Sequence, residues 1–127
     1  MNAPKSLSIL LVEDNIANQL VATAYLARAG YRVDVASTAV EAMNMLIAGR
    51  HDLVLMDLQM PGIDGLACTR LIRTGRHNAD VPIFAMTANA LKRDERRCLE
   101  AGMNGYFAKP IQWDELLFQV GRLAEAA

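Results

Sequence analysis

Two hydrophobic patterns alternate along the chain. Short, nearly unbroken apolar runs occur at Leu7–Val12, Leu53–Met56 and Val81–Met86, with weaker ones at Val33–Ala36 and Tyr106–Ala108. Runs of that length without polar alternation suit strands covered on both faces, as in a parallel sheet. The stretches between them have helical period. Ile16, Leu20, Thr23, Ala24 and Ala27 form a stripe that Gly30 ends. Thr38 and Glu41 stand at capping-box spacing before Val40, Met43, Leu46 and Ile47, and Gly49 follows. Leu66–Ile72 and Ala90–Ala101 predict a third and a fourth helix, the latter closed by Gly102. Trp113, Leu116, Leu117, Val120 and Leu123 line a fifth.

Five strand-then-helix units imply an α/β fold: a doubly wound, five-stranded parallel sheet with helices on both faces. Among doubly wound orders, the flavodoxin-like 2-1-3-4-5 suits five strands, and chemistry in such sheets sits at the strands' carboxyl ends. The length of 127 residues predicts one domain over 1–127. An apolar share of 53% with 21% charged residues excludes disorder by composition. A formal net charge of -1 removes the electrostatic case for non-specific nucleic-acid binding. No apolar run approaches the roughly 20 residues of a membrane helix, and Met1–Lys5 lacks a signal-peptide layout. Cys68 and Cys98 form no CxxC pair and read as small buried side chains of a reduced, cytoplasmic protein.

The chemistry shows in which polar residues end the apolar runs. Glu13 and Asp14 follow the first strand, Asp57 the third, Thr87 the fourth and Lys109 the fifth. The inferred order places strands one and three side by side, so three carboxylates converge. Like charges that close raise one another's pKa unless something positive lies among them, and a hard divalent cation with oxygen ligands meets that need. An acid pair, a lone Asp, a hydroxyl and a Lys make a phosphoryl-transfer set. The Asp is the nucleophile, and the cation and Lys neutralise the phosphoryl oxygens. Taken singly, Glu13 and Asp14 read as helix N-terminal acids and Lys109 as a solvated turn residue. Their occurrence at successive strand ends favours a site.

At these residues the chain resembles a response-regulator receiver domain from about Leu7 to Leu123. The likeness rests on Val12-Glu13-Asp14-Asn15, Met56-Asp57-Leu58-Gln59-Met60-Pro61-Gly62, Met86-Thr87-Ala88-Asn89-Ala90 and Ala108-Lys109-Pro110-Ile111. The resemblance implies that Asp57 accepts a phosphoryl group from a phosphohistidine. It implies that Glu13, Asp14 and Asp57 hold Mg²⁺ with the backbone carbonyl of Gln59, and that Thr87 and Lys109 bind the phosphoryl group. It further implies that Thr87 and Tyr106 switch the face made by helix four, strand five and helix five. Gln59 and Asn89 would tune the phosphoryl lifetime. Lys109-Pro110 is a cis-peptide candidate by the same likeness, whereas composition alone favours trans. Asn15, Gln19, Gln59-Met60-Pro61, Asn89-Ala90 and Gly102-Met103-Asn104 resemble the wording of hybrid sensor histidine kinase receivers. The implied donor is a histidine kinase or a histidine phosphotransfer domain, with a downstream protein on the switching face. Gly105 and Gln112 depart from the family pattern: Gly weakens a strand start, and Gln caps a helix poorly.

Other residues take plainer readings. His51 and His77 read as surface loop histidines. Lys92, Arg93, Arg96 and Arg97 form a solvated basic face of helix four, for which an acidic partner helix is a second reading. Trp113 is either a contact residue or the edge of an apolar stripe. Two other functions compete. A phosphatase of the haloacid-dehalogenase type needs a second Asp two residues after its nucleophile, where this chain has Gln59. A flavin or nucleotide binder needs a glycine-rich phosphate cradle, and the turn after strand one is Glu13-Asp14-Asn15.

Overall fold

The computed structural model describes residues 7–60, 62, 64–88 and 92–126. Strands and helices alternate: β1 (Ser8–Val12), α1 (Ile16–Arg28), β2 (Arg32–Ala36), α2 (Ala39–Ala48), β3 (Leu53–Asp57), α3 (Gly65–Thr74), β4 (Ile83–Thr87), α4 (Lys92–Ala101), β5 (Gly105–Ala108) and α5 (Trp113–Ala126). All strand pairs are parallel, in the order β2-β1-β3-β4-β5. The expected topology is therefore the observed one, and each apolar run falls on its strand. β3 and β4 are buried throughout, whereas edge strand β2 alternates. Among the described residues no helix is long and apolar enough to cross a membrane.

The sheet is covered on both faces. One layer packs Leu10, Val54, Met56 and Ile83 against Ala42 and Leu46 of α2, Cys68 and Ile72 of α3 and Cys98 of α4. The other packs Leu11, Leu55 and Phe84 against Ala22 and Leu26 of α1 and Leu116 and Val120 of α5. Cys68 and Cys98 are buried and unbridged, as expected.

Thr38 caps α2 as its spacing to Glu41 predicts, and Asn15 and Asp64 cap two further helices. Asn15 accepts from the Asn18 N–H at 2.9 Å to cap α1, Thr38 accepts from the Glu41 N–H at 3.1 Å, and Asp64 accepts from the Ala67 N–H at 2.8 Å. Glu41 in turn accepts the N–H of Ser37, one residue before the cap, at 2.7 Å, a variant of the expected box. Helix α5 opens without a side-chain cap from Gln112. The Gln112 carbonyl accepts the Leu116 N–H at 3.0 Å and starts the ladder.

The helical faces need correction. Helix α1 turns Gln19, Ala22, Thr23 and Leu26 inward, while Ile16 and Leu20 are 71% and 68% exposed. The Gln19 side chain sets this rotation, donating to the Glu13 carbonyl at 2.6 Å and to Ser37 Oγ at 3.2 Å. In α2 the inner face is Ala39, Ala42 and Leu46, with Val40 and Ile47 outside. In both helices alanine fills the position nearest the sheet, where a branched side chain would hold the helix away.

Candidate functional site

Parallel register brings the polar strand ends to one edge. Val12 is level with Met56, Asp57 with Met86 and Thr87 with Ala108. The residues just beyond therefore meet in one crevice. A second feature tightens it. A Cβ on Gly65 would lie 2.8 Å from the Asp57 carbonyl oxygen and 2.7 Å from Leu58 Cδ2, so only glycine lets α3 begin this close to the end of β3.

Asp57 is 2% exposed and Glu13 3%, an unusual depth for two carboxylates, while Asp14 is exposed. Lys109 Nζ lies 3.1 Å from Asp57 Oδ1 and 3.5 Å from Glu13 Oε1. One ammonium thus faces two buried acids, and the balance leaves negative charge. Burial, together with the neighbouring Asp57, pushes the Glu13 carboxyl up to about 7, against the opposing effects of the Asn15 N–H and Lys109. Glu13, Asp14 and Asp57 each place one carboxylate oxygen within a group whose members all lie within 4.8 Å of one another. Hard oxygen donors with surplus negative charge fit a divalent cation such as Mg²⁺, which commonly takes one or two carboxylates and fills its remaining positions with other oxygens.

Thr87 is buried at the end of β4, and its carbonyl accepts the Lys109 N–H at 2.7 Å. The Lys109-Pro110 bond is cis, as the family likeness implied. Tyr106 is partly buried against the layer that holds Cys98 and Met103, and desolvation, with Asp94 nearby, raises its phenol pKa. Asn89 lies outside the described residues. A Cβ on Gly105 would meet the Phe84 ring at 2.7 Å, so the departure from the family pattern there makes room for a core aromatic.

Two residues read from sequence land differently. His77 is exposed, as expected. His51 is buried, and its Nε2 lies 2.8 Å from Asp34 Oδ2, so it is a packed histidine bridging to β2 and not a surface one. It lies before β3, at the opposite end of that strand from Asp57, and does not belong to the crevice. Trp113 stacks on Tyr25 with ring centroids 5.0 Å apart and planes 9° from parallel, joining α5 to α1.

Gln59, which the family likeness marks as lifetime-tuning, makes side-chain bonds that the sequence did not foretell. Gln59 donates its backbone N–H to Asp57 Oδ1 at 2.9 Å. Its carboxamide Nε2 donates to Thr87 Oγ1 at 3.0 Å, and its Oε1 accepts the Ala88 N–H at 3.0 Å.

The comparisons agree with this geometry. The family model of the response regulator receiver domain matches residues 9–120. Hybrid signal transduction histidine kinase K of Dictyostelium discoideum is 37% identical over 115 residues, which are 85% of this chain and 10% of that protein. Sensor histidine kinase GacS of Pseudomonas protegens is 39% identical over 111 residues, 85% of this chain and 12% of that one. The chain thus spans a small fraction of the length of these relatives. Among solved structures, the receiver domain of sensor histidine kinase PA1611 from Pseudomonas aeruginosa PAO1, with magnesium in its active-site cleft, is 43% identical with a TM-score of 0.86. That match covers 95% of this chain and 99% of that one. The receiver domain of Ssk1 from Saccharomyces cerevisiae, in complex with the histidine phosphotransfer protein Ypd1, belongs to a structure that is 28% identical at a TM-score of 0.86 and covers 97% and 92%. By the family match over residues 9–120 and by fold, the chain belongs to the response regulator receiver domains, signalling modules of two-component phosphorelays.

Proposed function

We propose that Asp57 accepts a phosphoryl group from a phosphohistidine. The observation that carries this reading is a carboxylate 2% exposed, 3.1 Å from an ammonium and grouped with two further acids. An Asp57 oxygen attacks phosphorus and the P–N bond breaks. The electron pair stays on the imidazole nitrogen, which takes up a proton. Lys109 and the Thr87 hydroxyl bind phosphoryl oxygens as they separate from the donor. Glu13, Asp14, Asp57 and the Gln59 carbonyl would hold Mg²⁺, as the magnesium-bearing Pseudomonas receiver suggests. Bound there, Mg²⁺ supplies positive charge against the carboxylates and the phosphoryl oxygens. Attack of water on the same phosphorus returns the carboxylate and inorganic phosphate, with Gln59 and Asn89 tuning that lifetime.

The donor is a histidine kinase or a histidine phosphotransfer domain. Its imidazole must come within bonding distance of a crevice whose rim is the start of α1, and along α1 Ile16, Leu20, Val21 and Tyr25 are exposed. A cleft of about 210 Å³ between α1 and the start of α5, lined by Val21, Ile111 and Trp113 with Lys109 and Glu13 at its end, continues that apolar surface into the crevice. Exposed apolar area on this scale marks a protein contact. The described side chains of α4, by contrast, are mostly charged. This fits a solvated face that responds to phosphorylation through Thr87 and Tyr106.

Phosphoramidate with Mg²⁺ supplies the P–N bond without a protein donor. Borohydride reduction followed by peptide mapping is expected to convert residue 57 alone to homoserine. Reduction at another acid, or at none, would overturn the assignment.

A further inference from the structure

The Gln59 carboxamide holds two groups that the transferred phosphoryl group would need. Its Nε2 donates to Thr87 Oγ1 at 3.0 Å, and its Oε1 accepts the Ala88 N–H at 3.0 Å. These bonds span 28 and 29 residues and tie the loop after β3 to the end of β4. The Gln59 main chain is fixed from the other side, its N–H donating to Asp57 Oδ1 at 2.9 Å. One residue therefore grips the acceptor carboxylate through its backbone and the hydroxyl-bearing strand end through its side chain.

We propose that the Gln59 side chain is a latch that holds Thr87 and the Ala88 N–H in their resting positions, so that phosphorylation of Asp57 must break both bonds. The proposal rests on the acceptor reading of Asp57 and makes Gln59 a positioning residue that acts through Thr87. Two properties support it. The amide hydrogen and carbonyl oxygen of a glutamine satisfy a hydroxyl oxygen and a backbone N–H at once, and neither bond survives if the strand end moves while the loop after β3 stays with Asp57. Thr87 is also buried, so water does not compete with Gln59 for its oxygen at rest. A carbonyl accepting the Ala88 N–H withholds a donor from an incoming anion, and release of that donor adds to binding of the phosphoryl oxygens.

Gln59 is exposed, so its side chain is replaceable without leaving a hole in the core. The test compares wild type with Gln59→Ala and Gln59→Met, the latter of similar length but without hydrogen-bonding ends. Two readouts are taken: hydrogen exchange of the Ala88 amide in unphosphorylated protein, and the initial rate of modification by phosphoramidate with Mg²⁺. Both variants are expected to exchange the Ala88 amide faster and to be modified about three- to tenfold faster, the range for losing two partly exposed hydrogen bonds. Unchanged Ala88 exchange, or modification that is no faster than in wild type, overturns the latch while leaving Asp57 as acceptor. If wild type itself is not modified, the acceptor reading falls and the latch with it.

Discussion

At the amino end of the sheet, Arg73 donates to the Gly102 carbonyl at 3.0 Å, the Ala79 carbonyl at 2.7 Å and Asn104 Oδ1 at 2.9 Å. Asn104 Oδ1 also accepts the Ile83 N–H, and Asp52 accepts the Ser8 N–H. The groups of this network meet complementary partners and close the loops they join, while His51 Nδ1 at the same end is buried without a hydrogen-bond partner. At the carboxyl end, two buried carboxylates share Lys109, and the exposed Asp14 carboxylate lies close by. The same sheet thus carries one edge with a closed network around Arg73 and one whose charge is left for something else to complete. A fold keeps an arrangement of the second kind only where function offsets its cost.

The largest effect that would sharpen this contrast is at Arg73. Arg73→Met keeps most of the stem but removes every donor, leaving three acceptors short. It is expected to lower unfolding free energy by about 2–3 kcal/mol in urea titration. A change under about 0.5 kcal/mol would mean that the amino end is not held by this network.

The carboxyl end should respond to pH in the opposite sense from an ordinary acid pair. Glu13 is raised from 4.5 to about 7 in the folded chain, so folding takes up a proton between those values. Stability from this group is full below pH 4.5 and is lost as pH rises to about 7, a fall of about 1–3 kcal/mol. Glu13→Gln removes the titration and should flatten that segment of the profile. A profile equally steep in the variant would place the titration elsewhere.

Mg²⁺ should restore part of the loss. At about ten times its dissociation constant the ion adds about 1.4 kcal/mol. The gain should be larger at pH 8 than at pH 5.5, because the ion needs Glu13 deprotonated. Thermal unfolding at the two values measures this, and equal gains would argue that Glu13 is not a ligand. The smallest effect is at Asp34, whose side chain is 61% exposed where it meets His51. Asp34→Asn should cost less than about 1 kcal/mol, since an exposed partner contributes little.

Much of this was legible in the chain, because the relevant signals are local. Each strand announces itself by an apolar run, and each site residue by the polar side chain that ends one. Asp57 after Leu53–Met56 is the plainest case. The helical faces were not legible. Ile16 and Leu20 are more apolar than Ala22, yet Ala22 faces the sheet, since the choice depends on distance to the strands and on the Gln19 bond to the Glu13 carbonyl. His51 looked like a surface residue because its partner Asp34 stands 17 residues away on a strand. The Gln59 bond to Thr87 joins residues 28 apart, and no local pattern encodes it.

The central claim is that Asp57, within the carboxyl-end charge cluster, takes a phosphoryl group with Mg²⁺ offsetting the added negative charge. It is tested most directly by intact mass after incubation with acetyl phosphate, with and without Mg²⁺, on wild type and Asp57→Asn side by side. The account predicts one adduct of about 80 Da, the mass of HPO₃, on wild type with Mg²⁺ and none on the variant. An adduct of equal yield on Asp57→Asn, or none on a wild type that binds neither Mg²⁺ nor phosphoryl donor, would contradict it.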